Sequence, residues 1–257
     1  MPTYRLVVEY DGSAFHGLQF QPGLRTIAGE LEAALSRIFH APISISAAGR
    51  TDAGVHATAQ VVAFSAQREF PIDRLARALN GTTPPDLIVH EAALARDGFS
   101  PRFDARERRY EYLIVNRRAP SALWRTRAWH VPRPIDDARF AAAAAPLLGI
   151  HDFVTYCGEA PERGGTIREV FEIGLERQGD ILRARVRGNS FLHRMVRIVI
   201  GTLVDAATGY RPADFPALAL AARDRRAAGT TAPPHGLYLT GVRYDDFATD
   251  LPVVLAP

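Results

Sequence analysis

The stretch Phe171-Glu172-Ile173-Gly174-Leu175-Glu176-Arg177, Gln178-Gly179-Asp180, Ile181-Leu182-Arg183-Ala184-Arg185-Val186-Arg187 reads as two strands turned back on each other at a glycine. An antiparallel hairpin of this kind does not belong to a regular βαβ alternation. Along its second strand Arg183, Arg185 and Arg187 alternate with Leu182, Ala184 and Val186, so the arginines share one face. Glu172 and Glu176 lie on the facing strand, which leaves two readings of the row. It is either a solvated, salt-bridged face or a phosphate-contacting one, with Arg183 and Arg185 as the candidate contacts.

C-terminal to the hairpin, Leu192 to Ala206 is a strongly apolar helical run, Ala213 to Arg225 another helix, and Leu237 to Tyr244 a closing strand. On the N-terminal side, Asp137 to Leu148 is helical on propensity, with five consecutive alanines at 141 to 145. Arg109-Tyr110-Glu111-Tyr112-Leu113-Ile114-Val115 reads as a strand. It echoes Tyr4-Arg5-Leu6-Val7-Val8-Glu9-Tyr10, the strand that opens the chain and ends at the turn signal Asp11-Gly12. A helix is expected over 26 to 39, where Ile27, Leu31, Ala34, Leu35 and Ile38 make one stripe and Pro42 prevents extension. Strands are expected at Ile43 to Ala47, Gln60 to Phe64 and around Leu87 to Glu91, with a helix over Ile72 to Leu79. The echo points to two similar halves, 1–105 and 106–257. The surplus of strands points to an α+β fold with a mixed, mainly antiparallel sheet.

The chain has 257 residues, 47% of them hydrophobic, enough for a substantial core. No run of about 18 apolar residues is present, and the N-terminus reads as a strand rather than a leader. A soluble cytoplasmic protein with no membrane partner is therefore expected. Cys157 is the single cysteine, which excludes an intramolecular disulfide and a cysteine-built zinc site. All 31 basic residues are arginines, set against 28 acidic ones, for a formal net charge of +3. Arginine's planar fork suits phosphate and stacks on bases, so this balance permits RNA binding without requiring it.

The chemistry concentrates at Gly49-Arg50-Thr51-Asp52-Ala53-Gly54-Val55-His56-Ala57, a two-glycine loop between strands. An Asp two residues before a Gly is commonly a turn or capping residue, so Asp52 needs support from elsewhere. Arg197 supplies it: a lone charge in Met195-Val196-Arg197-Ile198-Val199-Ile200, it either snorkels to water or requires a carboxylate. Asp52 is then the partner of choice. Tyr110, after Arg108 and Arg109, is either a half-buried strand aromatic or a stacking platform for an unpaired base.

Together these residues resemble the TruA family of tRNA pseudouridine synthases. The resemblance rests on residues 49 to 57, on Phe99-Ser100-Pro101-Arg102-Phe103-Asp104-Ala105 with Arg109-Tyr110-Glu111-Tyr112, on Phe191-Leu192-His193-Arg194-Met195-Val196-Arg197, and on Ala232-Pro233-Pro234-His235-Gly236-Leu237-Tyr238-Leu239. With the opening Tyr10-Asp11-Gly12-Ser13-Ala14-Phe15-His16-Gly17 it covers nearly the whole chain. It implies the pseudouridine synthase fold, with helices on one face of the sheet and an RNA-binding cleft. It implies an isomerase acting on tRNA uridines 38, 39 and 40, as a homodimer without a cofactor or metal. By the same resemblance Asp52 is the essential aspartate, Arg197 its ion-pair partner, Tyr110 the aromatic against the target base, and Arg50 part of the same site. Two positions depart from the family pattern: Leu18 stands where a Trp is usual, and Pro101 interrupts the usual Phe-x-Ala-Arg-Phe.

Overall fold

The computed structural model describes residues 1–159 and 164–255. In chain order the strands are β1 (Thr3–Tyr10), β2 (Ser46–Ala47), β3 (His56–Ser65), β4 (Leu87–Ala95), β5 (Glu107–Val115), β6 (Trp129–His130), β7 (Gly149–Asp152), β8 (Ile167–Gln178), β9 (Ile181–Gly188), β10 (Leu237–Arg243) and β11 (Ala248–Asp250). The helices are α1 (Ile27–Phe39), α2 (Ile72–Asn80), α3 (Asp137–Ala144), α4 (Met195–Ala207) and α5 (Phe215–Ala222). The chain divides into two units, one of Met1–Arg106 with Tyr238–Pro257 and one of Glu107–Leu237. The last strands, from Tyr238 on, group with the first unit.

In the first unit the strand order is β4, β1, β3, β10. β1 runs antiparallel to both β3 and β4, while β10 joins β3 in parallel at Tyr238↔His56 and Leu239↔Ala57. β3 is buried along nearly its whole length because strands flank it on both sides. Helix α1 begins at Thr26, whose hydroxyl accepts from the Gly29 N–H, and ends with His40 in the left-handed region. Its buried stripe carries Phe39 against Tyr4 and Phe64, at ring-centroid distances of 5.5 and 5.4 Å. This aromatic cluster seats the helix on the sheet.

The second unit orders its strands β5, β9, β8, β7, all antiparallel, with short β6 parallel to β5. The hairpin forms as its sequence implies, and Gly179 takes φ 59° at the turn. β8 begins earlier than expected, at Ile167, and its register with β9 shifts between Val170 and Glu172. Helix α4 is almost wholly buried. It starts at Met195 rather than Leu192, because Arg194 sits at φ 58° and breaks the helical path.

Several expected elements are shorter than their patterns suggested, and α5 spans Phe215–Ala222 rather than Ala213 to Arg225. Only Ser46–Ala47 of the run 43–47 pairs as a strand. The Ile43 and Ile45 amides donate instead to Ser36 Oγ and Glu32 Oε1 of α1, so they are withdrawn from any ladder. The helix begun at Asp137 gives way at Ala145 to a single tight turn, Ala145–Leu147, because Pro146 has no amide with which to continue it.

Candidate active site

Residues 49 to 57 dock against the end of β1 and the turn after it. Val55 N–H bonds to the Asp52 carbonyl at 3.1 Å, and Gly54 takes φ 78° between them. Leu18 N–H donates to the Thr51 carbonyl at 3.0 Å, and the Tyr10 hydroxyl shares a 2.8 Å bond with Thr51 Oγ1. Gln60 Nε2 donates to the Gly49 carbonyl at 2.8 Å and reaches the same Tyr10 hydroxyl at 3.4 Å. Tyr10 is buried, and its phenol is pushed up to about 12, chiefly by burial. It therefore works as a neutral hydrogen-bonding group.

Two glycines allow backbones to approach closely, and Gly17, at φ 92°, also takes a conformation that favours glycine. A Cβ on Gly12 would lie 2.0 Å from the Val55 carbonyl oxygen, and one on Gly17 2.9 Å from that of Thr51. Backbone meets backbone at both, so the loop is held in place by the absence of side chains. The Gly12 N–H also donates to His56 Nδ1 at 3.1 Å, with the Asp11 carboxylate 3.2 Å from the same nitrogen. His56 is buried and stacks on Tyr238, with ring centroids 4.6 Å apart. The His56 ring, with help from Ser13, holds the Asp11 carboxyl well below the usual carboxylate range. In this frame Thr51 is buried, Asp52 half-buried and Arg50 exposed. The backbone alternates so that the structural residue points inward while the carboxylate and the arginine remain reachable.

The other expected site residues lie in the second unit. Arg197 is half-buried on α4, and its Nε donates to the Ala232 carbonyl at 2.8 Å. The Ala232 N–H donates back to the Arg197 carbonyl at 3.0 Å. Segment 229–232 is held to α4 by further bonds, from Gly229 N–H to Thr202 Oγ1 and from Thr230 N–H to Asp205 Oδ2, both 3.1 Å. A Cβ on Gly201 would sit 1.8 Å from the Thr230 carbonyl oxygen. Tyr110 is 8% exposed on β5, opposite Val186, and packs edge-on to Phe191 at 5.3 Å. Tyr112, two residues on, is buried and donates to the Pro233 carbonyl at 2.7 Å.

The arginine row of β9 has carboxylate partners. Arg183 and Arg185 reach Glu111 at 3.4 and 3.5 Å, and Arg185 also reaches Glu176 at 2.8 Å. Arg187 bonds Glu107 at 2.7 Å and Glu172 at 2.9 Å, which holds the Glu107 carboxyl below its ordinary range. Of the two readings left by the sequence, the ion-paired face is the one whose contacts are present. Glu172 and Glu176 were legible as partners from the hairpin register. Glu107 and Glu111, on β5, were not, because their neighbour strand in the sheet is far off in sequence. Also missed were Gly12, Gly17, Gln60 and the Tyr10 hydroxyl, although the Asp11-Gly12 turn signal marks the place.

Comparison with known proteins agrees with this arrangement of motifs. A family model described as tRNA pseudouridine synthase matches residues 6–104 and 143–245. A protein named tRNA pseudouridine synthase A from Caulobacter sp. (strain K31) is 44% identical over 246 residues, covering 95% of this chain and 99% of that one. Proteins of the same name from Cereibacter sphaeroides and Bacillus subtilis are 44% and 39% identical, covering 96% and 94% of this chain and 99% of each relative. On a match that spans both units and nearly the full length of each relative, the chain belongs to the tRNA pseudouridine synthase family.

Proposed function

We propose that the protein isomerises uridine to pseudouridine at positions 38, 39 and 40 in the anticodon stem-loop of tRNA, in the cytoplasm and as a homodimer. Family membership and the relatives' activity support the reaction. The observation that carries the site is the loop 49–57, clamped by buried bonds and two close-approach glycines so that Asp52 is held still yet reachable. The dimer, the compartment and the three positions rest on the family resemblance.

The reaction breaks the bond from N1 to C1′, joins C1′ to C5, removes the C5 proton and returns a proton to N1. No electrons are gained or lost and no group is donated. Asp52 is the carboxylate that either bonds covalently to the nucleotide or opposes positive charge developing at C1′. Arg197 is assigned as its ion-pair partner on the family resemblance. Tyr110 lies against the target base, offsetting part of the few kcal/mol that flipping the nucleotide costs. Arg50, exposed and without an ion pair among the described residues, contacts RNA phosphate.

The test is pseudouridine mapping of tRNA after incubation with the purified protein, beside its mass in solution by light scattering. Pseudouridine at other tRNA positions would correct the sites. Bound tRNA with no pseudouridine would make the protein a binding or chaperone relative of the same fold.

Two further outcomes follow from the geometry. Gly12→Ala should cut the single-turnover rate by about a hundredfold, because a Cβ forces the Val55 carbonyl away and displaces the loop by the order of an ångström. A rate within threefold of wild type would show that the loop tolerates the shift. Arg183→Ala with Arg185→Ala should leave the salt dependence of tRNA binding unchanged within about half a unit of slope, since both arginines are engaged with glutamates. A fall of about one unit per arginine would show that they exchange those partners for phosphate.

A further inference from the structure

Between Tyr112 and Ile135 the chain carries Arg117, Arg118, Arg125, Arg127 and Arg133 and not one Asp or Glu. In a protein whose formal net charge is +3, this stretch alone contributes +5. Arg118, Arg125 and Arg133 are exposed, and none of the three makes an ion pair among the described residues. Arg117 reaches Asp180 at 3.4 Å and otherwise caps the local carbonyls of Ala119 and Pro120.

The segment is pinned to the body of its unit. Asn116 Nδ2 donates to the Val131 and Arg133 carbonyls at 2.9 and 2.8 Å, closing the loop at its base. β6 pairs with the end of β5, His130 Nε2 lies 2.9 Å from the Arg117 carbonyl, and Trp129 packs edge-on to Tyr112. Both tryptophans of the protein, Trp124 and Trp129, belong to this segment. With Arg125, His130 and His235 they line a cavity of about 270 Å³. An open groove of about 940 Å³ takes Arg117 and Arg118 into its wall. Its two carboxylates are already engaged, Asp137 by Arg177 and Asp136 as the cap of α3. Val115, at the wall of the smaller cavity, is five residues along β5 from Tyr110, or about 17 Å at strand spacing.

We infer that residues 117–133 form a second RNA-contact surface, in which Arg118, Arg125 and Arg133 hold backbone phosphates and the tryptophan-lined cavity takes one unstacked base. The inference rests on the tRNA reading above, and supplies it with a grip outside the catalytic residues. Uncompensated arginine supplies affinity and counterion release. Flat aromatic walls beside it accept any base by stacking, and a cavity this small has room for a single ring system. An acidic protein partner would use the charge but would have no need of the two tryptophans. The segment lies outside both stretches matched by the family model, 6–104 and 143–245.

The experiment compares two full-length triple variants of equal charge change. One is Arg118→Ala with Arg125→Ala and Arg133→Ala. The other is Arg68→Ala with Arg74→Ala and Arg226→Ala, exposed positions outside the segment. For the first, tRNA affinity at about 0.1 M salt should fall tenfold or more, and the slope of log affinity against log salt should drop by about one unit for each phosphate that is no longer held. The second should stay within about half a unit of the wild-type slope. Equal weakening in the two would overturn the proposal, leaving net charge as the cause, and so would undiminished affinity in the first. Intrinsic tryptophan emission is an independent readout, because both reporters sit in the segment. Saturating tRNA should quench it by about half or more in wild type, and emission unchanged by bound tRNA would remove the base-holding cavity. Pseudouridine formation by the wild type is scored separately. If it occurs while the variants bind alike, this surface fails and the enzymatic reading stands. If it does not occur while the first variant alone loses tRNA, the surface stands without the enzyme.

Discussion

Asp52→Asn should leave the fold and tRNA affinity intact and abolish pseudouridine formation, with the single-turnover rate reduced by three orders of magnitude or more, on the order seen when a nucleophile is removed. The structure explains why the first half of that result is expected. The bonds that shape the loop are made by Tyr10, Thr51, Gln60 and the backbones of Gly49 and Leu18. Asp52 contributes its backbone carbonyl to the bond with Val55, and Asn keeps that carbonyl and nearly the same volume. What Asn lacks is the charge. A carboxamide neither attacks carbon nor opposes positive charge at C1′, so the deficit falls on chemistry. Thermal unfolding, a tRNA binding isotherm and a rate at saturating enzyme measure the three quantities separately. A rate near wild type would end the assignment of Asp52, and an unfolded variant would move it from chemistry to architecture.

Gly201→Ala should be among the most damaging single-carbon changes in the molecule. Its Cβ would lie 1.8 Å from the Thr230 carbonyl oxygen, 2.8 Å from the carbonyl carbon and 3.1 Å from the Ala232 nitrogen, all backbone atoms that no rotamer change can move. Segment 229–232 must lift away from α4, stretching the bonds to Thr202 and Asp205 and the pair that links Arg197 with Ala232. Overpacking against backbone costs about 3 kcal/mol or more. That corresponds to a fall of roughly 6 to 12 °C in the unfolding midpoint of the unit. Ile200→Val, at a fully buried neighbour, removes a carbon and should cost only about 1 kcal/mol. Activity should fall further than stability accounts for, because Arg197 loses the carbonyl that orients its Nε. Differential scanning calorimetry of both variants decides it. A Gly201→Ala midpoint equal to that of Ile200→Val would show that segment 229–232 yields freely.

Much of this is legible in the sequence alone, wherever a local rule controls a local outcome. The hairpin over residues 171–187 is dictated by alternation on both sides of a glycine turn, and it forms with Gly179 at the turn. Helix α1 follows from its stripe and its Thr26 cap. The loop 49–57 could be singled out because it concentrates Arg, Thr, Asp and His within a short stretch that carries two glycines. These are properties of neighbours along the chain, and the chain states them.

Tertiary structure decided whatever depends on residues distant in sequence. Ile43 and Ile45 have the composition of a strand, but their amides were taken by side chains of a helix that precedes them, and β2 shrank to two residues. Gly12 and Gly201 look like ordinary flexible positions, yet each is required because another backbone passes within a Cβ's width. Arg183 and Arg185 read alike as phosphate contacts or ion pairs until Glu111 was brought beside them by a strand some seventy positions earlier. Arg118, Arg125 and Arg133 illustrate the same reason in reverse, since no acidic side chain among the described residues forms an ion pair with them. Periodicity and turn chemistry are short-ranged and so are written in order along the sequence. Which amide, which carboxylate and which backbone finally meet is set by packing a long chain into a small volume, and that is decided only when the whole of each unit has folded.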